Sequence, residues 1–192
     1  PMDLQLQGQH VLITGGSKGI GLACARGFLQ EGAHVSLVSR QAHHLDNAQR
    51  ALLAEFPTGK VFTHAADLSQ AELALGALNA AEKALGPVTV LINSAGAAKR
   101  TPAEELTPQA WVDAMQAKYF TYIHMMDPVI KRMAQRHAGA IVNIVGNGGK
   151  VASPIHLPGG SANAALMLAS VGLANAYGPK GVRVNAINPG LT

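Results

Sequence analysis

Six short runs rich in β-branched residues punctuate the chain: His10–Thr14, His34–Val38, Lys60–His64, Val88–Ile92, Ala140–Val145 and Val182–Ile187. Most are nearly continuous apolar tracts without strict alternation, the pattern of strands covered on both faces in a parallel sheet. Between them lie longer Ala/Leu-rich segments with helical spacing. Gly19–Gln30 ends at Gly32, and His43–Phe56 stops at Pro57-Thr58-Gly59. Ser69, with Glu72 three residues on, reads as a capping box for a helix that runs to Gly86-Pro87. Thr107 followed by Pro108 starts a long helix toward Arg136, and Ser161–Tyr177 forms the last helix. This alternation predicts an α/β fold with a doubly wound parallel sheet, helices on both faces and right-handed crossovers.

Composition narrows the picture. The chain has 192 residues, 48% hydrophobic and 14% charged, against roughly 25% charged in a typical domain. Disorder is excluded, since it requires low hydrophobicity and high net charge. One domain over residues 1–192 is expected, ending after its sixth strand, and so little polar cover suggests a large partner interface. Fifteen Lys+Arg against eleven Asp+Glu give +4, but the basic residues form no run longer than a pair and aromatics are 4%. No nucleic acid partner is therefore expected. Cys24 is the sole cysteine, so no intrachain disulfide forms. The longest apolar stretch, Ala164–Tyr177, is interrupted by Asn175 and reads as too short for a bilayer. The expectation is a cytoplasmic protein with no membrane association.

The first run leads into Thr14-Gly15-Gly16-Ser17-Lys18-Gly19-Ile20-Gly21. Glycines permit a tight strand-to-helix turn, and the amides at the new helix N-terminus face an anion favoured by the helix dipole. The setting, after a strand and opening a helix, is that of a dinucleotide loop. The stretch resembles the TGxxxGxG loop of the short-chain dehydrogenase/reductase family. Asp67-Leu68 after the third strand, Asn93-Ser94-Ala95-Gly96 after the fourth, and Arg183-Val184-Asn185-Ala186 leading to Pro189-Gly190 resemble further family motifs in the same order. The resemblance covers essentially the whole chain and implies a Rossmann-type domain. It implies that Gly15, Ser17, Lys18, Gly19, Ile20, Gly21, Asp67, Leu68, Asn93, Ala95, Gly96, Ile144, Pro189 and Gly190 bind the cofactor.

The end of the second strand carries Ser39-Arg40, with no carboxylate until Asp46. A carboxylate there would bind a ribose 2′-hydroxyl and repel a 2′-phosphate. A serine hydroxyl, the Arg40 fork and the Lys18 cation favour a 2′-phosphate instead, so NADP(H) is expected, with NAD(H) as the alternative.

The resemblance also implies a Ser-Tyr-Lys set with a helical Asn. Counting back from Pro179-Lys180-Gly181 and forward from Ile141–Ile144, the tyrosine position falls on Gly159, the lysine on Asn163 and the serine on Gly146. Counting from Trp111, the asparagine position falls on Lys118. Lys118 and Asn163 thus look exchanged between two helices. They are the candidate catalytic residues, with Lys118 returning an amine near the nicotinamide ribose and acting as acid or base. Tyr119, Tyr122 and Tyr177 read as packing residues. His156 reads as a solvent-exposed loop histidine, with a substitute acid as its alternative role. Cys24 reads as buried and inert, and His43-His44 lack companions at metal-ligand spacing, so no metal is expected.

Two functions follow. One is an NADP(H)-dependent oxidoreductase acting on a small-molecule carbonyl or alcohol substrate with an altered site. The other is a catalytically inactive cofactor-binding subunit that stabilises or regulates an active relative. The Met- and Ala-rich helices over 107–136 and 161–178 predict a homodimer or homotetramer, or a heteromer with that relative; Met115, Met125, Met126, Met133 and Met167 are expected to contribute to that face.

Overall fold

The computed structural model describes residues 2–96 and 99–190. Its six strands are β1 (His10–Thr14), β2 (His34–Ser39), β3 (Val61–Ala65), β4 (Val90–Asn93), β5 (Gly139–Ile144) and β6 (Val182–Ile187). All pair in parallel, in the order β3-β2-β1-β4-β5-β6. The predicted doubly wound sheet is the observed one. Strand order reverses between β1 and β4, and in such sheets ligands bind outside the carboxyl ends of the strands at that reversal.

The helices are α1 (Gly19–Gln30), α2 (Ala42–Glu55), α3 (Ala71–Leu85), α4 (Pro108–Ala114), α5 (Thr121–Gln135) and α6 (Leu157–Tyr177). Successive strand residues point to opposite faces, and two cores result. Val11 and Ile13 of β1 pack with Val35, Leu37, Leu29, Leu45 and Leu52 beneath α1 and α2. Leu12 points the other way, into a core with Leu78, Leu91, Met125, Ile130 and Ile141 beneath α3 and α5. Each such buried aliphatic side chain contributes about 1.5–3 kcal/mol, so the continuous apolar runs are what a two-sided sheet requires.

Several boundaries differ from the sequence reading. Val88 and Thr89 precede β4, where the Val88 N–H donates to Glu82 Oε1 at 2.9 Å and the Thr89 N–H to the His10 carbonyl at 2.9 Å. Ser69 does not cap α3. Gln70 occupies the cap position without a side-chain bond, while the Asp67 carboxylate accepts the Ser69 N–H at 3.0 Å. Asp67 lies two residues upstream, the spacing of an Asx turn, and takes the Ser69 amide that Glu72 would have accepted in a capping box. Thr107 does cap α4, accepting from the Ala110 N–H at 3.3 Å.

The expected single helix from Thr107 to Arg136 is interrupted by a π-helical turn, Met115–Phe120, between α4 and α5. The Thr121 hydroxyl donates to the Gln116 carbonyl at 3.2 Å, engaging a group in the altered turn. Met125, Met126 and Met133 lie fully inside the α3–α5 core, which corrects their assignment to a partner-facing surface.

The last helix begins at Leu157 rather than Ser161. With its following turn it spans Leu157–Lys180, 24 residues, which is long and apolar enough by length and composition to cross a bilayer. That corrects the expectation of a stretch too short. It packs on β6 and buries Ala162, Asn163, Leu166 and Ser170, as a helix flanking a sheet does.

Candidate functional site: a dinucleotide cleft and a buried lysine beside it

The reversal of strand order between β1 and β4 opens a cleft of about 670 Å³ at the carboxyl ends of β1, β2 and β4. Gly15, Ser17, Lys18, Gly19 and Ile20 form one wall, Ser39 and Arg40 one end, and Asp67, Leu68, Ala95 and Gly96 the other side. The loop is shaped by glycine geometry. Gly15 has φ +66° and Gly19 φ +55°, both in the left-handed region. A Cβ at Gly21 would run into the Gly15 carbonyl, whereas one at Gly19 would meet open space. Gly21 is therefore a packing residue behind the loop, and Gly19 leaves room in front of it. Lys18, the α1 cap residue, makes no side-chain cap bond, and the first turn holds no acidic residue. The amides there remain available to an anion.

Other predicted cofactor residues sit behind the cleft or away from it. Asn93 is fully buried: its Oδ1 accepts from Thr14 Oγ1 at 3.3 Å, and its amide donates to Asn143 Oδ1 at 3.0 Å. Thr14 Oγ1 in turn accepts the Ser94 and Ala95 N–H groups at 3.1 and 3.3 Å, which holds the β4 loop open beside Gly15. The Pro189 carbonyl accepts the Asn147 N–H at 3.0 Å, and neither Pro189 nor Gly190 lines the cleft. The lining also includes Gln41, His44, Ala66, Ser69, Ser94, Asp113, Gln116, Ala117 and Thr121, which the sequence did not single out for this role. Ser94 lay within a quoted motif. The residues of α4 and the π turn gave no signal, because their exposure to the cleft depends on a turn that periodicity does not reveal.

The electrostatics at the Ser39 end are asymmetric. Ser39 Oγ is buried without a hydrogen-bond partner. Asp67 is the nearby carboxylate, but hydrogen bonds from Ser69 hold it below its usual range, with the Arg40 charge adding to the effect.

The π turn carries Lys118 inward, to 8% exposure. Its Nζ donates to Tyr122 Oη at 2.9 Å and to the Ile144 carbonyl at 3.1 Å, and it lies 4.5 Å from the Tyr122 ring centroid. Tyr122, read from sequence as packing, is indeed fully buried, and its hydroxyl also donates to the Ile144 carbonyl. Ile144 is thus held from inside the protein and does not line the cleft. Burial lowers the Lys118 pKa to about 8 and raises that of Tyr122. Gly96, at φ +89°, lets the cleft wall meet the π turn, since a Cβ there would strike the Ala117 carbonyl.

Asn163 is 6% exposed, and its Oδ1 has no partner. No hydrogen bond joins it to Lys118. Gly146, at φ +132°, would place a Cβ 3.1 Å from Asn163 Nδ2, and Gly149 would place one 2.8 Å from Asn163 Cβ. The glycine-rich loop after β5 therefore wraps Asn163 and is a 3-10 turn, Asn147–Gly149. His156 is half-buried rather than exposed. It lines a second cavity of about 240 Å³ with Ser153 and Ser161, its Nδ1 is buried without a partner, and burial lowers its pKa. Cys24 is half-buried, and burial raises its pKa. Among the described residues no group of three His, Cys, Asp or Glu side chains is placed to hold a metal ion.

Comparison with known proteins agrees with this geometry. Gluconate 5-dehydrogenase of Gluconobacter oxydans is 34% identical over 185 residues, which is 96% of this chain and 72% of that protein. An NADPH-bound short chain oxidoreductase from Pseudomonas aeruginosa PAO1, described as containing an atypical catalytic center, superposes with a TM-score of 0.92 at 31% identity, covering 98% of this chain and 72% of that one. L-Sorbose reductase from Gluconobacter frateurii, complexed with NADPH and L-sorbose, superposes with a TM-score of 0.90 at 31% identity, covering 99% and 72%. The family profile described as short chain dehydrogenase matches residues 9–192, so the chain belongs to the short-chain dehydrogenase/reductase family.

Proposed function

We propose that this chain is an NADP(H)-dependent oxidoreductase acting on the carbonyl or alcohol group of a small molecule, with an altered catalytic set and with NAD(H) as the weaker cofactor. The observation that carries the cofactor reading is the orphaned, buried Ser39 Oγ beside Arg40 at the end of β2, which itself carries no carboxylate; the nearby Asp67 is tied up by its hydrogen bonds from Ser69. A 2′-phosphate satisfies that hydroxyl and pairs with Arg40 and Lys18. The loop fits the rest of a dinucleotide: Gly19 leaves open space where a side chain would stand, and the uncapped α1 amides suit a pyrophosphate. NADPH bound to two relatives of about 31% identity supports the same reading.

The nicotinamide, when bound, supplies or accepts the hydride. The protein's part is to place and protonate the reacting oxygen. The family's tyrosine, lysine, serine and asparagine positions are taken to be Gly159, Asn163, Gly146 and Lys118. Lys118 is then the group with a proton to give during reduction and a lone pair to take it back during oxidation. Its burial lowers its pKa to about 8, near working pH. Asn163, with an unpartnered Oδ1, is available to orient the substrate or a water. Relatives of this chain carry dehydrogenase and reductase names, so an inactive subunit is not favoured. A relative with an atypical catalytic center supports the view that the fold tolerates such a change.

We also propose a homodimer or homotetramer in the cytoplasm. Val112 on α4 and Leu168 and Val171 on α6 are 58, 76 and 58% exposed, and α4 packs beside α6, which gives an apolar face on the predicted helices. The functional test is turnover of a broad carbonyl panel with NADPH. Activity in the wild type that is lost in Lys118→Ala supports the reading, and no turnover of any carbonyl contradicts it.

A further inference from the structure

We propose that Tyr122 is a positioning residue for Lys118: its phenol and the Ile144 carbonyl together fix the amine at the end of β5. The inference rests on the catalytic reading of Lys118 above, but it concerns a property of the unliganded chain. The three groups form a closed set. Tyr122 Oη donates its proton to the Ile144 carbonyl and accepts one from Lys118 Nζ at 2.9 Å, while Nζ also donates to the same carbonyl at 3.1 Å. That carbonyl has two lone pairs and both are used. An ammonium has three donors, so one direction on Nζ remains uncommitted, as an N–H in the charged form or a lone pair in the neutral one.

No carboxylate pairs with Lys118 among the described residues. Its position and its charge state therefore depend on two neutral oxygens and on burial. Facing groups that titrate or carry charge are Tyr122 on the same helical run and His156 before α6, with Arg100 beyond His156. The arrangement is local in origin. Lys118 and Tyr122 are four residues apart, a spacing that brings side chains together on a helical surface, and the π turn that contains Lys118 directs the pair toward the end of β5. Mid-helix π turns frequently mark functional sites.

The test reads Lys118 directly. The full chain is labelled with 13Cε-lysine and titrated by NMR, with the Lys118 signal assigned by its loss in Lys118→Met. Tyr122→Phe keeps the ring and removes the acceptor. The expected result is a fall in the Lys118 midpoint by about one pH unit, the size of one hydrogen bond to a charged group. The pH profile of carbonyl reduction should move by the same amount, while Tyr119→Phe moves neither. An unmoved Lys118 midpoint in a folded Tyr122→Phe chain overturns the proposal. If that variant does not fold, 3-fluorotyrosine incorporated into a Tyr119→Phe, Tyr177→Phe chain weakens the acceptor in place. A smaller fall in the midpoint is then expected, and no fall overturns the proposal. Wild-type protein that turns over no carbonyl, yet shows the Tyr122-dependent midpoint, refutes the catalytic reading and leaves the positioning intact.

Discussion

Gly21 packs its backbone directly against the carbonyl of Gly15, so closely that a β-carbon at position 21 would overlap that oxygen. The contact ties the first turn of α1 to the loop it opens and so sets the direction of the α1 amides. Gly21→Ala must move one or the other. Overpacking of this kind costs about 1–3 kcal/mol, and the expected outcome is a lowered melting temperature together with at least a roughly tenfold loss of NADPH affinity. Thermal unfolding and fluorescence titration of the variant check both. An unchanged affinity would mean that the loop amides do not hold the cofactor.

A buried lysine without a carboxylate makes stability depend on pH. The folded-state value for Lys118 is about 8 against 10.5 for the free side chain. Between those values the unfolded chain binds the extra proton, so stability climbs as pH rises from about 8 and levels off above 10.5. Below pH 8 the full cost is present. Lys118→Met should therefore raise stability at pH 7, by up to roughly 3 kcal/mol. The gain should shrink as pH rises, while Tyr122 keeps its bond to Ile144. Urea unfolding of both chains between pH 7 and 10 measures the difference.

His10 acts in the same direction at lower pH. Its Nδ1 lies 2.7 Å from the Gly86 carbonyl and its Nε2 2.7 Å from Ser36 Oγ. Burial lowers its pKa below the free value of 6.5. The unfolded chain protonates first, so stability falls as pH drops below 6.5 toward the folded value. His10→Gln should flatten that part of the acid limb, which a pH series of unfolding midpoints reads directly.

The buried amide chain behind the cleft should be costly to break. Asn143 accepts from Asn93 at 3.0 Å and donates to Ser170 Oγ at 2.9 Å. Asn143→Ala leaves the Asn93 amide unpaired in the interior. A loss of about 2–4 kcal/mol is expected, since each stranded group costs about 1–3 kcal/mol. A loss under about 1 kcal/mol would show that the chain of bonds is not a brace for the strand ends.

The fold was legible because a sheet buried on both faces needs continuous apolar strands, and this chain writes them as isolated β-branched runs. The glycine loop was legible because its strand and helix are adjacent in sequence. Ends of elements were less so. Asp67 and Glu72 can each accept the Ser69 amide, and only the folded geometry shows that Asp67 does. A π turn differs from an α turn by about one residue per turn, too little for hydrophobic periodicity to register in six residues. Met125, Met126 and Met133 read as excess apolar surface until α3 and the sheet were seen to cover them. Lys118 was singled out by a motif position, but its hydrogen-bond partner Tyr122 was not. An aromatic among apolar neighbours reads as packing, and the Ile144 carbonyl that it shares with Lys118 lies 22 residues away.

Cofactor placement, Lys118 chemistry and substrate reduction all require the cleft between β1 and β4 to hold a 2′-phosphorylated dinucleotide. Calorimetric titration of the purified chain with NADPH and with NADH, repeated on Arg40→Ala, tests it most directly. NADPH should bind at least about tenfold tighter than NADH, and that preference should be lost in the variant, the effect of one or two charge-assisted hydrogen bonds. Equal or tighter binding of NADH, or no heat from either nucleotide at millimolar concentration, would contradict it.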